Sequence, residues 1–317
     1  MNIDNNLGTY AQTERYWEKY QHFFPEELRI HDGCQPVEEW WNRKDGRIHI
    51  DRWPAADSSL KVILIHGAGG NSRLLAPYAR MLQLHGYETA APDLPPYGLS
   101  GVHSPKMLSY PYWIELLTDL IQREAERDGK AVVLLGVSIG GMLAYHTAAA
   151  AKNVKGLIAT TFADTRDPAV RDQLAPNRLI SRAGKRAMDA LPFLLDSIQL
   201  PVNLVSRMKH ISNNPRLASL IMDDPRAAGI RMPVQFLRTF MSYKPAVNPE
   251  SFDKCPVLLI HPELDPMTPY PLSEAFYKRL QGTKQCVILE GAGHLPIEQP
   301  GLDQMRTAVL SFLNTLK

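Results

Sequence analysis

The chain has 317 residues, and 35 lysines and arginines against 33 aspartates and glutamates leave a formal net charge of +2. Its 44% hydrophobic and 21% charged residues are typical of a folded globular protein, which excludes a largely disordered chain. The near balance of charge gives no global attraction to nucleic acid, and three cysteines without a Cys-x-x-Cys pair argue against a disulfide framework or a cysteine-based zinc site.

The first predicted element is a helix over residues 9–28, within an N-terminal helical extension of residues 1–34. Its aromatic residues recur at spacings of one, three and four, which places them on one face of a helix. That face is expected to pack on the core or, alternatively, to form a lid or an interface. The aromatic residues are Tyr16, Trp17, Tyr20, Phe23 and Phe24.

A hairpin and then an alternating α/β pattern follow. Two short strands, 37–41 and 47–53, flank Asp45-Gly46, which is a strong signal for an antiparallel hairpin. Downstream, unbroken apolar runs, typical of strands covered on both faces, alternate with helical spacing. The alternation predicts a doubly wound, mostly parallel sheet. The predicted order is strand 61–65, a helix through 74–82, strand 87–93, helix 110–127, strand 131–135, helix 138–152 and strand 154–161.

The alternation stops between residues 164 and 249. Prolines divide this stretch into helix-like pieces, and no convincing apolar strand is present. Its 13 basic and 7 acidic residues give a local charge of +6, which fits a solvated face or a docking surface for anions or phospholipids. We therefore predict one α/β domain, residues 1–163 and 250–317, interrupted by a helical insertion over 164–249. The domain resumes with strand 256–261, helix 270–280, strand 286–290 and helix 302–316.

The segment Gly136-Val-Ser138-Ile-Gly140 has the form G-x-S-x-G. A buried strand leads into it and a helix of small residues leads out, which is the setting of a nucleophile elbow. Such a tight turn holds the serine in a strained backbone conformation with Oγ projecting, and side chains at the two glycine positions would collide with neighbouring backbone. Ser138 is therefore the candidate nucleophile. An ordinary strand–helix turn with a capping serine is the alternative.

A serine hydroxyl is a weak nucleophile near neutral pH and requires a base. His294 is the candidate, because it lies in a glycine-rich loop directly after the last predicted strand, at the sheet edge where ligands bind. Asp265 also lies just past a strand end and is the candidate for orienting the imidazole. The chain order Ser138, Asp265, His294 is the order expected for an elbow of this type. Asp164 and Glu263 are the alternative carboxylates.

Backbone N–H groups must hold the oxyanion of the tetrahedral intermediate. Ile139, directly after the serine, supplies one candidate, and Ala68 in the loop His66-Gly-Ala-Gly-Gly supplies the other. A phosphate-binding loop is the alternative for this glycine-rich segment. It lacks both the Lys-Ser/Thr pair of a P-loop and the spacing G-x-G-x-x-G, which argues against that alternative.

Together these segments resemble the α/β-hydrolase family, and most closely its branch of serine esterases, lysophospholipases and monoacylglycerol-lipase-like enzymes with a cap. Two departures stand out: Pro96-Tyr97-Gly98 replaces a frequent Gly-x-Gly, and His261-Pro262 begins the acid loop where glycine is frequent. The matching pieces are His66–Gly69, Asp93–Ser100, Gly136–Gly141, Leu264–Pro269 and Gly291–His294.

The resemblance implies a serine hydrolase that cleaves carboxylic esters through an acyl-enzyme and needs neither a metal nor an organic cofactor. The expected partner is a small-molecule ester with an apolar acyl group. Cleavage of an amide or C–C bond by the same triad, as in aminopeptidases, is the alternative, for which the paired acids Asp223 and Asp224 are a weak cue. A non-catalytic binding protein on this fold is a further alternative.

The resemblance also implies that residues 164–249 fold over the site as a cap, which would exclude water and shape the substrate pocket. The apolar side chains of the cap are expected to form its own core, with a minority lining an acyl pocket. These side chains are Leu191, Leu194, Leu195, Ile198, Leu204, Val205 and Met208.

The location of the protein is predicted from further features. No uncharged apolar run reaches the about 18 residues of a membrane span, and the polar first ten residues lack the apolar segment of a signal peptide. Cysteine use of this kind fits a reducing compartment, so we expect a cytoplasmic protein without a membrane span.

Overall fold

A computed structural model of the chain describes residues 8–13 and 16–317. The signal-peptide expectation for the first ten residues falls largely outside these ranges. The described residues contain eleven strands: β1 (Val37–Arg43), β2 (Gly46–Trp53), β3 (Leu60–Ile65), β4 (Glu88–Pro92), β5 (Gly101–Val102), β6 (Ala131–Gly136), β7 (Val154–Ala159), β8 (Gln199–Pro201), β9 (Arg231–Pro233), β10 (Val257–Pro262) and β11 (Lys284–Leu289).

Twelve α-helices lie in the same ranges, together with a few single 3₁₀ turns. None of them, within those ranges, has the length and apolar character needed to cross a membrane. The helices are α1 (Glu18–Gln21), α2 (Ala76–Leu84), α3 (Tyr110–Asp128), α4 (Ile139–Ala150), α5 (Pro168–Leu174), α6 (Arg178–Ala190), α7 (Pro192–Leu195), α8 (Val202–Val205), α9 (Pro215–Asp223), α10 (Val234–Ser242), α11 (Tyr270–Arg279) and α12 (Gly301–Asn314).

Nine of the described strands form one twisted sheet in the order β1-β2-β4-β3-β6-β7-β10-β11, with β5 paired to β2. The pairs β1–β2, β2–β4 and β2–β5 are antiparallel, and the remaining pairs are parallel. The predicted fold, a mostly parallel doubly wound sheet with an N-terminal antiparallel hairpin, is confirmed. Because the parallel strands run in one direction, the loops after β3, β6, β7, β10 and β11 meet at one edge.

The central strands are buried on both faces, as their unbroken apolar runs predict. β3 is buried throughout, including Lys61, whose ammonium lies 2.8 Å from Glu124 and 2.6 Å from Asp128. Arg52 binds the same Glu124 through both of its terminal nitrogens, at 2.8 and 2.5 Å. These contacts satisfy charges that would otherwise be costly to bury. They also attach α3 to the sheet.

The N-terminal segment differs from the predicted helix over 9–28. Only α1 and the 3₁₀ turn Glu26–Leu28 are helical among its described residues, and residues 14 and 15 lie outside them. The backbone N–H groups of Tyr10 and Ala11 donate to the Glu38 carboxylate at 2.6 and 3.0 Å, which attaches the start of the segment to β1. The aromatic side chains nevertheless pack on the core, which confirms the first of the two alternatives: Tyr16, Tyr20 and Phe24 are buried, and Trp17 and Phe23 partly so.

The segment between β7 and β10 carries α5 to α10 and, against expectation, a small antiparallel sheet of β8 and β9. Three-residue strands that end in proline have no alternating pattern that a sequence could reveal. We expected the apolar side chains of residues 164–249 to form a core of their own. This expectation is wrong for several of them, because they are exposed to solvent. These are Leu191, Leu194, Ile198 and Leu204. Met208, by contrast, is fully buried.

A buried ionic cluster joins β2 to β1 and to the loop after β4. The His49 ring places Nε2 2.8 Å from Glu38 Oε2 and Nδ1 3.2 Å from Asp93 Oδ2. Burial alone would lower the pKa of His49, but the carboxylates of Asp93 and Glu38 outweigh it and raise that pKa to about 10. His49 is therefore an imidazolium at neutral pH. Asp51 and Arg73 complete the cluster as an ion pair at 2.8 Å.

The stability of the protein is expected to fall at alkaline pH because of His49. A pKa raised in the folded state stabilises fully below the unfolded value of about 6.5, and this contribution is lost as the pH rises through about 10. In denaturant unfolding at pH 6, 8 and 10, the free energy of unfolding of the wild-type protein should fall by on the order of 3 kcal/mol across this range. The variant His49→Gln should lack this fall. Equal pH slopes for wild type and variant would contradict the expectation.

Candidate active site

Ser138 lies in the tight turn between β6 and α4. Its φ of 60° and ψ of −131° lie outside the regions that a side chain favours, as a nucleophile elbow requires. The turn is sterically closed: a Cβ at Gly136 would meet the carbonyl oxygen of Gly140, and a Cβ at Gly140 would meet that of Ile65. Thr160, which the sequence did not reveal, accepts the Ser138 N–H through its hydroxyl at 2.8 Å.

Three sequence-predicted residues meet above the sheet edge. The Ser138 hydroxyl lies 2.7 Å from His294 Nε2, and His294 Nδ1 lies 2.8 Å from Asp265 Oδ2. The residues come from the loops after β6, β10 and β11 and are almost completely buried. With Nδ1–H donating to the carboxylate, Nε2 has a free lone pair and accepts from the serine hydroxyl. This is the tautomer that a general base needs.

The carboxylate of Asp265 is held by its own loop. Its Oδ1 accepts from the N–H groups of Met267 and Thr268 at 2.8 and 2.9 Å, and its Oδ2 accepts from the Thr268 hydroxyl at 2.6 Å. Burial would raise the pKa of Asp265, but His294 and the Thr268 hydrogen bonds hold it well below its usual range. Asp265 is therefore ionised. Sequence reasoning missed Thr268, although the spacing Asp-x-x-Thr, typical of a turn capped by aspartate, could have indicated it.

The two alternative carboxylates have other partners. Asp164 forms ion pairs with Arg166 at 2.7 Å and Arg279 at 3.5 Å. Glu263 is exposed and accepts the N–H of Gly291 at 2.9 Å, which supports the loop that carries the histidine. The structure therefore brings Asp265, and neither alternative, to the imidazole.

The two residues predicted to supply the oxyanion amides, Ala68 and Ile139, lie beside the serine. The N–H groups of Gly140 and Gly141 donate to Val137 O at 2.9 Å and Ser138 O at 2.8 Å. Within the described part of the chain, this leaves the Ile139 amide at the helix start without a partner. Ala68 and Ile139 both line the cavity beside Ser138. The predicted oxyanion donors therefore lie next to the nucleophile.

Residues 56–300 match the model of a family described as serine aminopeptidase, S33. The chain belongs to this family of α/β hydrolases.

Individual relatives agree with this assignment. The pimeloyl-acyl-carrier-protein methyl ester esterase of Neisseria meningitidis serogroup A is 27% identical over 251 residues, which cover 78% of this chain and 74% of that protein. The monoglyceride lipase from Saccharomyces cerevisiae, solved as a soluble variant with a substrate analogue, superimposes with a TM-score of 0.74 at 16% identity, covering 93% of this chain and 99% of that chain. The monoacylglycerol lipase of Paleococcus ferrophilus gives 0.67 at 21% identity, covering 85% and 99%. The two structures confirm the fold.

The N-terminal segment and the β7–β10 segment brace the loop after β3 (residues 66–72) of this α/β hydrolase. Asn71 Nδ2 donates to the Tyr16 hydroxyl at 2.9 Å and to the Arg226 carbonyl oxygen at 3.3 Å. Close by, Lys19 Nζ donates to the buried Asp224 carboxylate at 2.8 Å. The loop is therefore held by contacts between residues more than 50 positions apart. No sequence motif predicts such contacts.

A cavity of about 110 Å³ begins at Ser138 and continues beneath α10. Tyr97, from the segment that replaces the frequent Gly-x-Gly, is buried and lines it, together with Phe236 and Phe240. Arg171 is the single charged side chain in the lining, and it donates to two backbone carbonyl oxygens at 2.6 and 2.9 Å. The lining is thus mainly apolar and carries one cation, the guanidinium of Arg171.

A second cavity, of about 30 Å³, also borders Ser138. It is bordered by the loop after β3, by His294 and Leu295, and by the apolar side chains of Ile211 and Ile221. Ser138 therefore borders both a larger and a smaller cavity.

One group of side chains in the described ranges could converge on a metal ion, namely Glu38, His49 and Asp51. Their atoms already pair with one another and with Arg73, at 3.0 Å from Glu38 and 2.8 Å from Asp51. The group is part of the buried ionic cluster and does not border either cavity.

Proposed function

We propose that this α/β hydrolase cleaves carboxylic esters through an acyl-enzyme formed on Ser138. The observation that carries the proposal is the hydrogen-bonded series Ser138–His294–Asp265 at a strained elbow beside an apolar cavity. The activities of similar proteins, a methyl ester esterase and two monoacylglycerol lipases, support ester chemistry.

The first half of the reaction transfers the acyl group to the enzyme. Ser138 Oγ attacks the acyl carbon while His294 Nε2 takes the hydroxyl proton, and Asp265 stabilises the resulting imidazolium. The N–H groups of Ala68 and Ile139 hold the oxyanion. When the intermediate collapses, the bond to the alkoxy oxygen breaks, and Nε2 returns the proton to the departing alcohol.

The second half releases the acid. A water molecule in the place of the alcohol gives a proton to His294 Nε2 and attacks the acyl carbon, so that a second oxyanion forms. Its collapse breaks the bond to Ser138 Oγ, and Nε2 returns the proton to that oxygen. The carboxylic acid leaves, and the starting protonation state is restored without any cofactor.

Residues 164–249 act as a cap over this site in the proposed mechanism. Side chains from α8 and α10, among them Val202 and Phe236, line the larger cavity together with core residues. An apolar acyl chain would thus lie between cap and core, away from water.

A cytoplasmic location stays a prediction from the cysteine use.

Aminopeptidase activity is the second candidate, because the matching family carries that description. An aminopeptidase needs a free carboxylate for the substrate amine. Asp224 is 2% exposed and ion-paired with Lys19, Asp223 is exposed, and neither borders either cavity. The site therefore favours the ester.

Parallel assays separate the two candidates. p-Nitrophenyl esters of two to ten carbons and aminoacyl naphthylamides are given to the same preparation. We expect turnover of the esters, faster for acyl chains that fill the apolar cavity, and naphthylamide turnover at least about 100-fold lower. A higher kcat/KM for any naphthylamide would favour the aminopeptidase instead.

A further inference from the structure

Each of the two cavities at Ser138 can be matched to one half of the ester. Both are bordered by Ser138 and Ala68, so an ester whose carbonyl oxygen points at the oxyanion amides extends into both. His294 borders the smaller cavity and not the larger one. Because His294 Nε2 must protonate the departing oxygen, the alkoxy group has to lie on its side. The acyl group is then left with the larger cavity.

We infer that the substrates are esters of small, unfunctionalised alcohols of the size of methanol or ethanol, with an apolar acyl group. This inference rests on the proposed ester hydrolysis and adds the identity of the leaving group. The larger cavity has about 110 Å³ and the smaller one about 30 Å³. A water-sized group takes about 10–15 Å³, so the smaller cavity holds two or three such groups.

The chemistry of the smaller cavity also selects against polyols. Its side-chain walls are mainly aliphatic, and the polar side chains among them are His66, Ser138 and His294. Both nitrogens of His66 are occupied, Nδ1 by the Gly67 carbonyl oxygen at 2.8 Å and Nε2 by the Leu94 N–H at 2.9 Å. Apart from the catalytic atoms, a glycerol hydroxyl would find no free side-chain partner there. A buried hydroxyl without a partner reduces binding by about tenfold or more.

The walls of the smaller cavity are held in place. Leu74 and Leu75 belong to a 3₁₀ turn whose first residues are anchored by Asn71, since Asn71 Oδ1 accepts the Leu74 N–H at 3.0 Å. The Leu295 N–H donates to the Ile211 carbonyl oxygen at 3.2 Å, which ties the histidine loop to the cap. A longer alkoxy group would have to displace these packed segments.

The test compares esters of one acid. Methyl, ethyl and 1-butyl octanoate and 1-monooctanoylglycerol share an acyl chain, and the released acid is titrated at constant pH. For the wild-type protein we expect kcat/KM for the methyl and ethyl esters to exceed the values for the butyl and glyceryl esters by about tenfold or more.

Two matched substitutions locate the effect. Ile211→Ala enlarges the smaller cavity and is expected to raise the butyl-to-methyl ratio of kcat/KM by about tenfold. Leu237→Ala enlarges the larger cavity instead and is expected to change the preference for acyl length while leaving the alcohol ratio within about twofold. Both residues line a single cavity of the two.

The possible outcomes are distinct. Equal hydrolysis of the butyl, glyceryl and methyl esters by the wild-type protein overturns the inference and leaves the proposed function intact. A butyl-to-methyl ratio that Leu237→Ala shifts as much as Ile211→Ala also overturns it. If no octanoate ester is hydrolysed, the proposed function itself fails, and the inference with it. The wild-type series decides the matter even if Ile211→Ala does not fold.

Discussion

Ser138→Ala is expected to lower kcat for ester hydrolysis by about four to six orders of magnitude, because it removes the only atom that can form the acyl-enzyme in the proposed mechanism. Residual turnover would come from the oxyanion amides acting on a bound water. The strained φ of 60° persists with alanine, so the melting temperature should stay within a few degrees of the wild-type value. Initial rates with p-nitrophenyl octanoate measure the loss.

A covalent probe supplies the control. A fluorophosphonate should label the wild-type protein and Ser311→Ala, which alters an exposed serine of α12, but not Ser138→Ala. Labelling of folded Ser138→Ala, or ester turnover at the wild-type rate, would show that another residue is the nucleophile. Failure of the folded wild-type protein to react would favour the alternative of a non-catalytic binding protein.

Asp265→Asn is expected to lower kcat by about 10⁴ with little change in KM. The asparagine oxygen can still accept the N–H groups of Met267 and Thr268, so the loop keeps its shape. Its amide nitrogen donates to His294 Nδ1, however, and thereby forces the proton onto Nε2. In that tautomer, His294 has no lone pair for the proton of Ser138.

The alternative acids provide matched controls for this prediction. Asp164→Asn and Glu263→Gln change the same functional group at positions whose partners are Arg166 and Gly291, respectively. Their kcat values should stay within about threefold of wild type. A loss at Asp164 larger than the loss at Asp265 would reassign the carboxylate.

The site residues could be predicted from sequence because each has a local signal. Gly136 and Gly140 indicate a turn that is too tight for side chains. The structure shows the carbonyl oxygens with which a Cβ at either position would collide. His294 and Asp265 each follow directly on a predicted strand, and parallel strands bring their loops to one edge. Thr268 could have been found from the Asp-x-x-Thr spacing.

Other features had no local signal. The aromatic spacing of residues 16–24 suggested a long helix, but contacts with Glu38 and Asp224, distant in sequence, determine that segment's path. β8 and β9 are too short for a periodic pattern, and they form because they pair with each other.

The sequence alone determined the α/β alternation, the elbow and the candidate residues, because periodicity and glycine placement follow from the backbone of a few neighbouring residues. Only the tertiary structure decided that the histidine lies 2.7 Å from the serine and that Asp265 is its partner. It also decided that Ser138 borders both a cavity of about 110 Å³ and one of about 30 Å³. Distances and volumes of this kind depend on how segments more than a hundred residues apart pack together. The pattern of neighbouring residues in the sequence does not predict that packing.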